Sequence, residues 1–91
     1  MTVSILLYGG LASDTGTTSI KLDASTVSDA LKSLSALYGK SFEDKLYDQS
    51  GAPRRFINIY VNGRDYRFLK KLDTELKIDD EVSLIPAVSG G

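Results

Sequence analysis

The chain has 91 residues and a net charge of −1, with 42% hydrophobic and 25% charged residues. This size and composition are typical of one globular domain, and the near-neutral charge argues against a nucleic-acid partner. Cys and His are both absent, which excludes thiol catalysis, Cys-based zinc sites and histidine acid–base catalysis. We therefore expect no bound cofactor or metal, and no enzyme activity in this chain by itself.

The sequence contains no candidate membrane segment. No apolar run reaches the roughly 18 residues that a membrane helix needs. The first residues also lack the basic and apolar regions of a signal peptide. We expect a cytoplasmic protein that has no membrane partner and is a monomer when free.

Two strands are predicted near the N-terminus. Apolar residues recur at every second position over 2–8 and again over 17–22, which is the period of a strand with one buried face. Gly9 and Gly10, together with residues 13–16, supply turn residues between them. The simplest interpretation is a hairpin with a short glycine-containing loop.

A helix is predicted over 26–38, where the apolar spacing changes to three and four. Thr26 suits the N-cap, and Asp29 three residues later resembles a capping box. Gly39 stands where a left-handed residue commonly ends a helix. The apolar stripe of this helix consists of Val27, Ala30, Leu31, Leu34, Leu37 and Tyr38.

The residue pattern in the second half of the chain predicts further secondary-structure elements. They are a short helix over 41–47, an exposed connection over 48–55, a strand over 56–61, a turn at Asn62-Gly63, an irregular segment over 66–76 and a last strand from 82 to 85. Apolar residues on both faces of the strand over 56–61 indicate a central position. Asn-Gly is the strongest short signal for a tight turn.

The order of these elements predicts the fold. The first and last strands both have a buried pattern, so we expect them to pair in parallel at the centre of the sheet, with the helix as the crossover. This arrangement is an α+β, ubiquitin-like β-grasp, a mixed sheet packed on one main helix. Residues 1–91 are predicted to form this single domain, which ends in a flexible Gly-Gly tail.

The chain ends in Gly90-Gly91 directly after a strand. A frayed terminus is the plainest interpretation. A chemical alternative is that an enzyme threads the terminus through a narrow channel, which residues without a Cβ can pass. The α-carboxylate, ionised above a pKa of about 3.5, could then attack the α-phosphate of ATP.

Four segments together resemble a known family: residues 61–63, Leu76, residues 80–82 and residues 85–91. The pattern is similar to the MoaD branch of the MoaD/ThiS ubiquitin-like sulfur carriers, and the resemblance covers essentially the whole chain. The family usually has Gly where this chain has Asp79, and a second proline where it has Ala87. Asp tolerates the left-handed conformation, whereas the missing proline makes the approach to the tail less stiff.

The resemblance implies a role for the tail. In such carriers an ATP-dependent activating enzyme adenylates the terminal glycine, here Gly91, which then becomes a thiocarboxylate. In the molybdopterin branch, the tail enters the large subunit of molybdopterin synthase and donates sulfur to a pterin precursor. The resemblance implies that Gly91 is the one residue that reacts. Ser89 and Gly90 are the flexible residues before it, and they would contact the partner.

The resemblance also implies a docking patch beside the tail. By position it would include Tyr8, Ile85 and Phe68, although ordinary packing is the alternative for each. The pairs Arg54-Arg55 and Lys70-Lys71 could contact an acidic surface of a partner, but solvated charges are the favoured interpretation. The acidic residues 79–81 could suggest a cation site, but a solvated turn is favoured because no partner residues converge with them.

Two other functions stay open. The first is a protein modifier, resembling the small archaeal modifiers of the same family, which joins Gly91 to target lysines. The second is a non-reactive β-grasp interaction domain.

Overall fold

The computed structural model describes residues 1–87. The elements in chain order are β1 (Thr2–Leu7), α1 (Gly9–Thr15), β2 (Ser19–Asp23), α2 (Val27–Tyr38), α3 (Lys40–Leu46), β3 (Ile57–Val61), β4 (Arg64–Asp65), two 3₁₀ turns (Tyr66–Phe68 and Lys71–Asp73) and β5 (Glu81–Pro86). They build the predicted α+β, ubiquitin-like β-grasp, with the strands in one mixed sheet.

The sheet has the strand order β2-β1-β5-β3-β4. The β1–β5 pair is parallel, with Ile5 opposite Val82 and Leu7 opposite Leu84. The other pairs are antiparallel, and Ile59 of β3 faces Leu84 from the other side. The predicted central parallel pair is therefore confirmed, and β5 is bonded on both edges.

The core lies between one face of the sheet and the helices. All of the core residues expected from strand and helix spacing are buried, namely Val3, Ile5, Leu7, Val27, Leu31, Leu34, Ile57, Ile59, Val61, Val82 and Leu84. Phe42 and Leu46 of α3 are also fully buried. The exception in the predicted helical stripe is Leu37, which is 59% exposed. At about 100° per residue, Leu37 falls roughly 80° from the centre of the stripe.

The ends of α2 follow the predicted capping in part. Thr26 Oγ1 accepts a hydrogen bond from the Asp29 amide at 3.1 Å, as expected of an N-cap. The Asp29 carboxylate accepts from the Ser25 amide at 3.3 Å, one residue before the partner of a capping box. Gly39 has φ +85° but ψ −167°, so its φ is positive without being left-handed helical, because Gly39 also begins α3.

Two sequence predictions were wrong in detail. The segment predicted as a glycine-containing loop contains α1, which forms because Leu11 buries its side chain in the core, with Gly16 at φ +75° as its C-cap. The segment 66–76 contains the two 3₁₀ turns rather than purely irregular chain. The β1–β2 pairing itself is antiparallel, as a hairpin requires.

Two turn predictions are confirmed by positive φ angles. Asn62 and Gly63 have φ +51° and +86°, the signs that a two-residue hairpin turn requires at both positions. Asp79 has φ +67°, so it occupies the left-handed region that glycine would otherwise take.

The strand predicted over 56–61 begins one residue later in the structure. Phe56 lies just outside β3 and is 50% exposed.

Candidate functional site at the end of β5

The end of β5 is bonded differently on its two edges. On the β1 side, the last bond among residues 1–87 runs from the Tyr8 amide to the Leu84 carbonyl at 3.2 Å. On the β3 side, pairing continues until the Ala87 amide donates to the Phe56 carbonyl at 2.6 Å. Pro86 and Ala87, which we call the tail base, are therefore held from the β3 side.

The start of α1 lies against the tail base. A Cβ built on Gly9 would meet Pro86 Cγ at 3.6 Å, an ordinary contact. Gly9 has φ +57°, which L side chains rarely adopt. Backbone conformation rather than lack of space therefore favours glycine where the chain turns from β1 into α1 beside the tail base.

The outer sheet face, the face directed away from α2, carries two of the predicted partner-binding residues. Ile85 is half-buried there, and Asn58 lies directly across from it on β3. Tyr8 is 44% exposed. Extending the β1–β5 register by one residue sets Tyr8 beside Ile85. The structure thus brings Tyr8 and Ile85 together next to the tail base.

Phe68 is placed elsewhere. It lies on the 3₁₀ turn after β4 and is 87% exposed. It lines a shallow pocket together with Leu69, Thr74 and Glu75. Phe68 is therefore an exposed aromatic residue, but it belongs to a different group of residues from Tyr8 and Ile85.

Sequence reasoning missed an ordered arginine on the outer sheet face. Arg67 Nη2 donates to Asn58 Oδ1 at 2.8 Å, and Arg67 Nε donates to Asp65 Oδ1 at 3.1 Å. The side-chain hydrogen bond to Arg67 lowers the pKa of Asp65 and raises that of Arg67. The alternation of Asn58 and Tyr60 with apolar residues could have revealed this polar row, but no short pattern points to Arg67.

The acidic residues 79–81 form a structural turn. The Asp80 carboxylate accepts from Asn62 Nδ2 at 2.9 Å and from the Lys77 amide at 2.8 Å. The side-chain bond from Asn62 is the main cause that lowers the pKa of Asp80. Within residues 1–87, no group of three or more acidic side chains is arranged to hold a metal ion.

Two further sequence predictions concern a membrane segment and the C-terminal tail. No helix in the described part of the chain has the length and apolarity needed to cross a membrane. Ser89, Gly90 and Gly91 lie outside the described residues. The roles predicted for these three residues, and the flexibility predicted for the tail, stay predictions.

Comparison with known families and sequences gives consistent matches. The family model described as the ThiS family matches residues 5–91. A protein of Archaeoglobus fulgidus, provisionally named a sulfur carrier protein, is 40% identical over 74 residues. That match covers 79% of this chain and 83% of the relative.

Two solved structures share the fold at full length. The crystal structure of small archaeal modifier protein 1 (SAMP1) from Haloferax volcanii has a TM-score of 0.88 and 28% identity, and covers 100% of both chains. The CysO protein in the BexX/CysO complex of Amycolatopsis orientalis has a TM-score of 0.84 and 30% identity. It covers 98% of this chain and 99% of that chain.

Proposed function

Because the chain belongs to the ThiS family of ubiquitin-like sulfur carriers, we propose that it carries sulfur as a thiocarboxylate on Gly91. The observation that carries this proposal is the family match, which extends to Gly91. The geometry supports it, since β5 is fixed on both edges and delivers the tail base from the middle of the sheet.

The proposed chemistry has two steps at one carbon atom. The Gly91 carboxylate first attacks the α-phosphorus of ATP, and pyrophosphate leaves with its electron pair. A hydrosulfide ion then attacks the acyl carbon of the adenylate, and AMP leaves. One carboxylate oxygen departs with AMP and is replaced by sulfur, without any change in the oxidation state of carbon.

A partner enzyme supplies the catalytic groups in this scheme. The chain has no Cys or His, so no side chain could supply a thiolate, and the thiocarboxylate would supply the anionic sulfur nucleophile. An adenylating enzyme of the ubiquitin-activating type binds the ATP, and this chain contributes its terminus and its docking surfaces. We propose Tyr8 and Ile85 as the docking pair on the outer sheet face, because an apolar pair beside the tail base suits a protein contact. Phe68 would contact a partner only through a separate surface.

Two sulfur or acyl acceptors are candidates. The first is the one implied by the sequence pattern, a pterin precursor held by the large subunit of molybdopterin synthase. The second is a lysine of a target protein, and the full-length similarity to SAMP1 favours it. Both acceptors need the same activated Gly91, so the two functions are compatible in one chain.

The test of activation uses the terminus itself. Wild-type protein incubated with ATP, the activating enzyme of its own organism and sulfide should exchange one oxygen for sulfur, as measured by intact-protein mass spectrometry. Deleting Gly91, or adding one residue after it, should abolish this exchange, because the carboxylate then misses the α-phosphorus. Activation of the extended variant at the wild-type rate would contradict the proposal.

The acceptor is tested in cells that lack the gene. Loss of molybdopterin, restored by wild type and not by the Gly91 deletion, would support the pterin acceptor. Gly-Gly remnants on lysines of other proteins, with normal molybdopterin, would support the modifier function and contradict the pterin acceptor.

A further inference from the structure

A second surface borders the tail base on the side opposite Tyr8. It consists of Arg54, Arg55 and Phe56, and we call it the β3-start surface. The bond from the Ala87 amide to the Phe56 carbonyl, at 2.6 Å, joins this surface to the tail base. A protein that encloses residues 88–91 would therefore lie close to Phe56, which is hydrogen-bonded to Ala87.

The contacts of Arg54, which is half-buried, order one side of this surface, whereas Arg55 is exposed. The Phe56 ring is half exposed. The Arg54 guanidinium carbon lies 6.0 Å from the centre of that ring, within the range of a cation–π contact. Arg54 Nε also donates to the Asp44 carbonyl in α3 at 2.9 Å. Arginine is enriched among the residues that contribute most to binding at protein interfaces, and aromatic residues including Phe are enriched in interfaces generally.

The two arginines keep positive charge available next to Phe56. The ion pairs within residues 1–87 are Lys40–Asp44, Lys45–Asp14 and Arg67–Asp65, so in this part of the chain neither Arg54 nor Arg55 has a carboxylate within ion-pair distance. Arg54 adds only the smallest contribution to the lowered pKa of Asp48, which depends chiefly on the Ser50 hydroxyl. Arg54 and Arg55 therefore place two positive charges, without a carboxylate at ion-pair distance among the described residues, directly before Phe56 in a chain whose net charge is −1.

We propose that the β3-start surface is a second contact for the enzyme that receives the tail, and that this enzyme presents carboxylates to Arg54 and Arg55. The inference rests on the proposed function for the identity of the partner. It adds to the outer sheet face a surface of different chemistry, cationic and aromatic rather than apolar. The tail base would then be gripped from both sides, with Tyr8 and Ile85 on one and Phe56 on the other.

The chain offers a matched control for the charge. Arg64 is exposed and pairs with Val61 at the far end of β3, away from the tail base. Arg55→Glu and Arg64→Glu change the net charge equally, so only position distinguishes them. We expect Arg55→Glu to raise KM for the carrier in ATP–pyrophosphate exchange about tenfold, and Arg64→Glu to change it less than about twofold.

Two further measurements sharpen the test. The defect of Arg55→Glu should shrink as salt is raised, because exposed charges are screened beyond about 10 Å at 0.1 M salt. Phe56→Ala should also raise KM about tenfold while kcat stays near wild type. Ile85→Asp in the same assay tests the outer sheet face independently, and circular dichroism confirms that each variant is folded.

Equal KM values for Arg55→Glu and Arg64→Glu would overturn the inference. Direct binding of the same proteins to the activating enzyme, measured by calorimetry, separates this failure from failure of the proposed function. If wild type binds but is not adenylated, the proposed function fails, and a weaker Kd for Arg55→Glu alone still supports the surface. Equal Kd values for the two variants, or no binding by wild type, would overturn it.

Discussion

The two ends of β3 both meet β5, yet they are built in different ways. At the C-terminal end, Asn62 uses its side chain and its backbone to bind the start of β5. Its Nδ2 donates to Asp80, its Oδ1 accepts from the Glu81 amide, and its own amide donates to the Glu81 carbonyl. At the N-terminal end, one backbone bond from Ala87 reaches Phe56.

This difference separates a structural end from the end that we propose as a contact surface. The polar groups around Asn62 bind one another, so little bonding capacity is left for a partner. Around Phe56, the aromatic ring is exposed and the charges of Arg54 and Arg55 are uncompensated within the described residues. Groups that a fold leaves unpaired at low cost, because water solvates them, are the groups that a partner can use.

A core substitution in the middle of β3 should destabilise the strand at both ends and cause the largest loss in the free energy of unfolding. Ile59 is fully buried between the sheet and the helices. We expect Ile59→Ala to lower the free energy of unfolding by about 2–5 kcal/mol, because it leaves a cavity in the core. Urea unfolding followed by circular dichroism measures this loss. Phe56→Ala is the control, expected to cost under about 1 kcal/mol because the ring is half exposed; equal losses would contradict the assigned burial.

A substitution at the structural end, the Asn62 end of β3, should cause an intermediate loss in the free energy of unfolding. Asn62→Ala removes two side-chain hydrogen bonds and places alanine at positive φ, so we expect a loss of about 1–2 kcal/mol in unfolding free energy. Asn62→Gly removes the same bonds but accepts the positive φ, and it should lose less. The same urea titration compares the two variants. A glycine variant that is less stable than the alanine variant would show that backbone conformation contributes nothing at this turn.

The smallest expected effect is a pH dependence at the same end. The pKa of Asp80 is lowered in the folded protein, mainly by Asn62 and then by the Lys77 amide. The stabilisation is therefore complete above the ordinary carboxyl pKa of about 3.9 and is lost as the pH falls through the lower folded value. Urea midpoints measured at pH values on both sides of about 4 should fall less steeply for Asp80→Asn than for wild type. Parallel slopes would show that Asp80 does not contribute.

The sequence predicted most of what repeats with a regular period. The buried faces of β1, β3 and β5 follow from alternation, and Thr26 could be recognised as the N-cap of α2 because its spacing to Asp29 is local. The central parallel pair followed from strand order and the crossover rule. Such features depend on neighbouring residues or on one global rule, and both can be read from a single chain.

The remaining features depend on contacts between distant segments. Short α1 has too few residues for a helical period and forms because Leu11 reaches the core. Arg67 lies nine residues from Asn58 and meets it only after β4 turns the chain back. Phe56 was predicted to belong to the strand, because its apolar side chain continues the sequence pattern of β3. The sequence therefore could not show that Phe56 lies outside β3 and is exposed. The outer sheet face was predicted through Tyr8 and Ile85, whereas Arg54 and Arg55 were interpreted as solvated charges and Phe56 as a strand residue.

The parallel pairing of β1 with β5 also has a mechanical consequence. A force applied between residue 2 and residue 87 would pull two adjacent strands past each other along their length. The hydrogen bonds between them would then share the load, since they lie across the direction of pulling and must break together. A partner that drew the tail into a channel, as proposed, would therefore pull on a strand that resists extraction along its own axis.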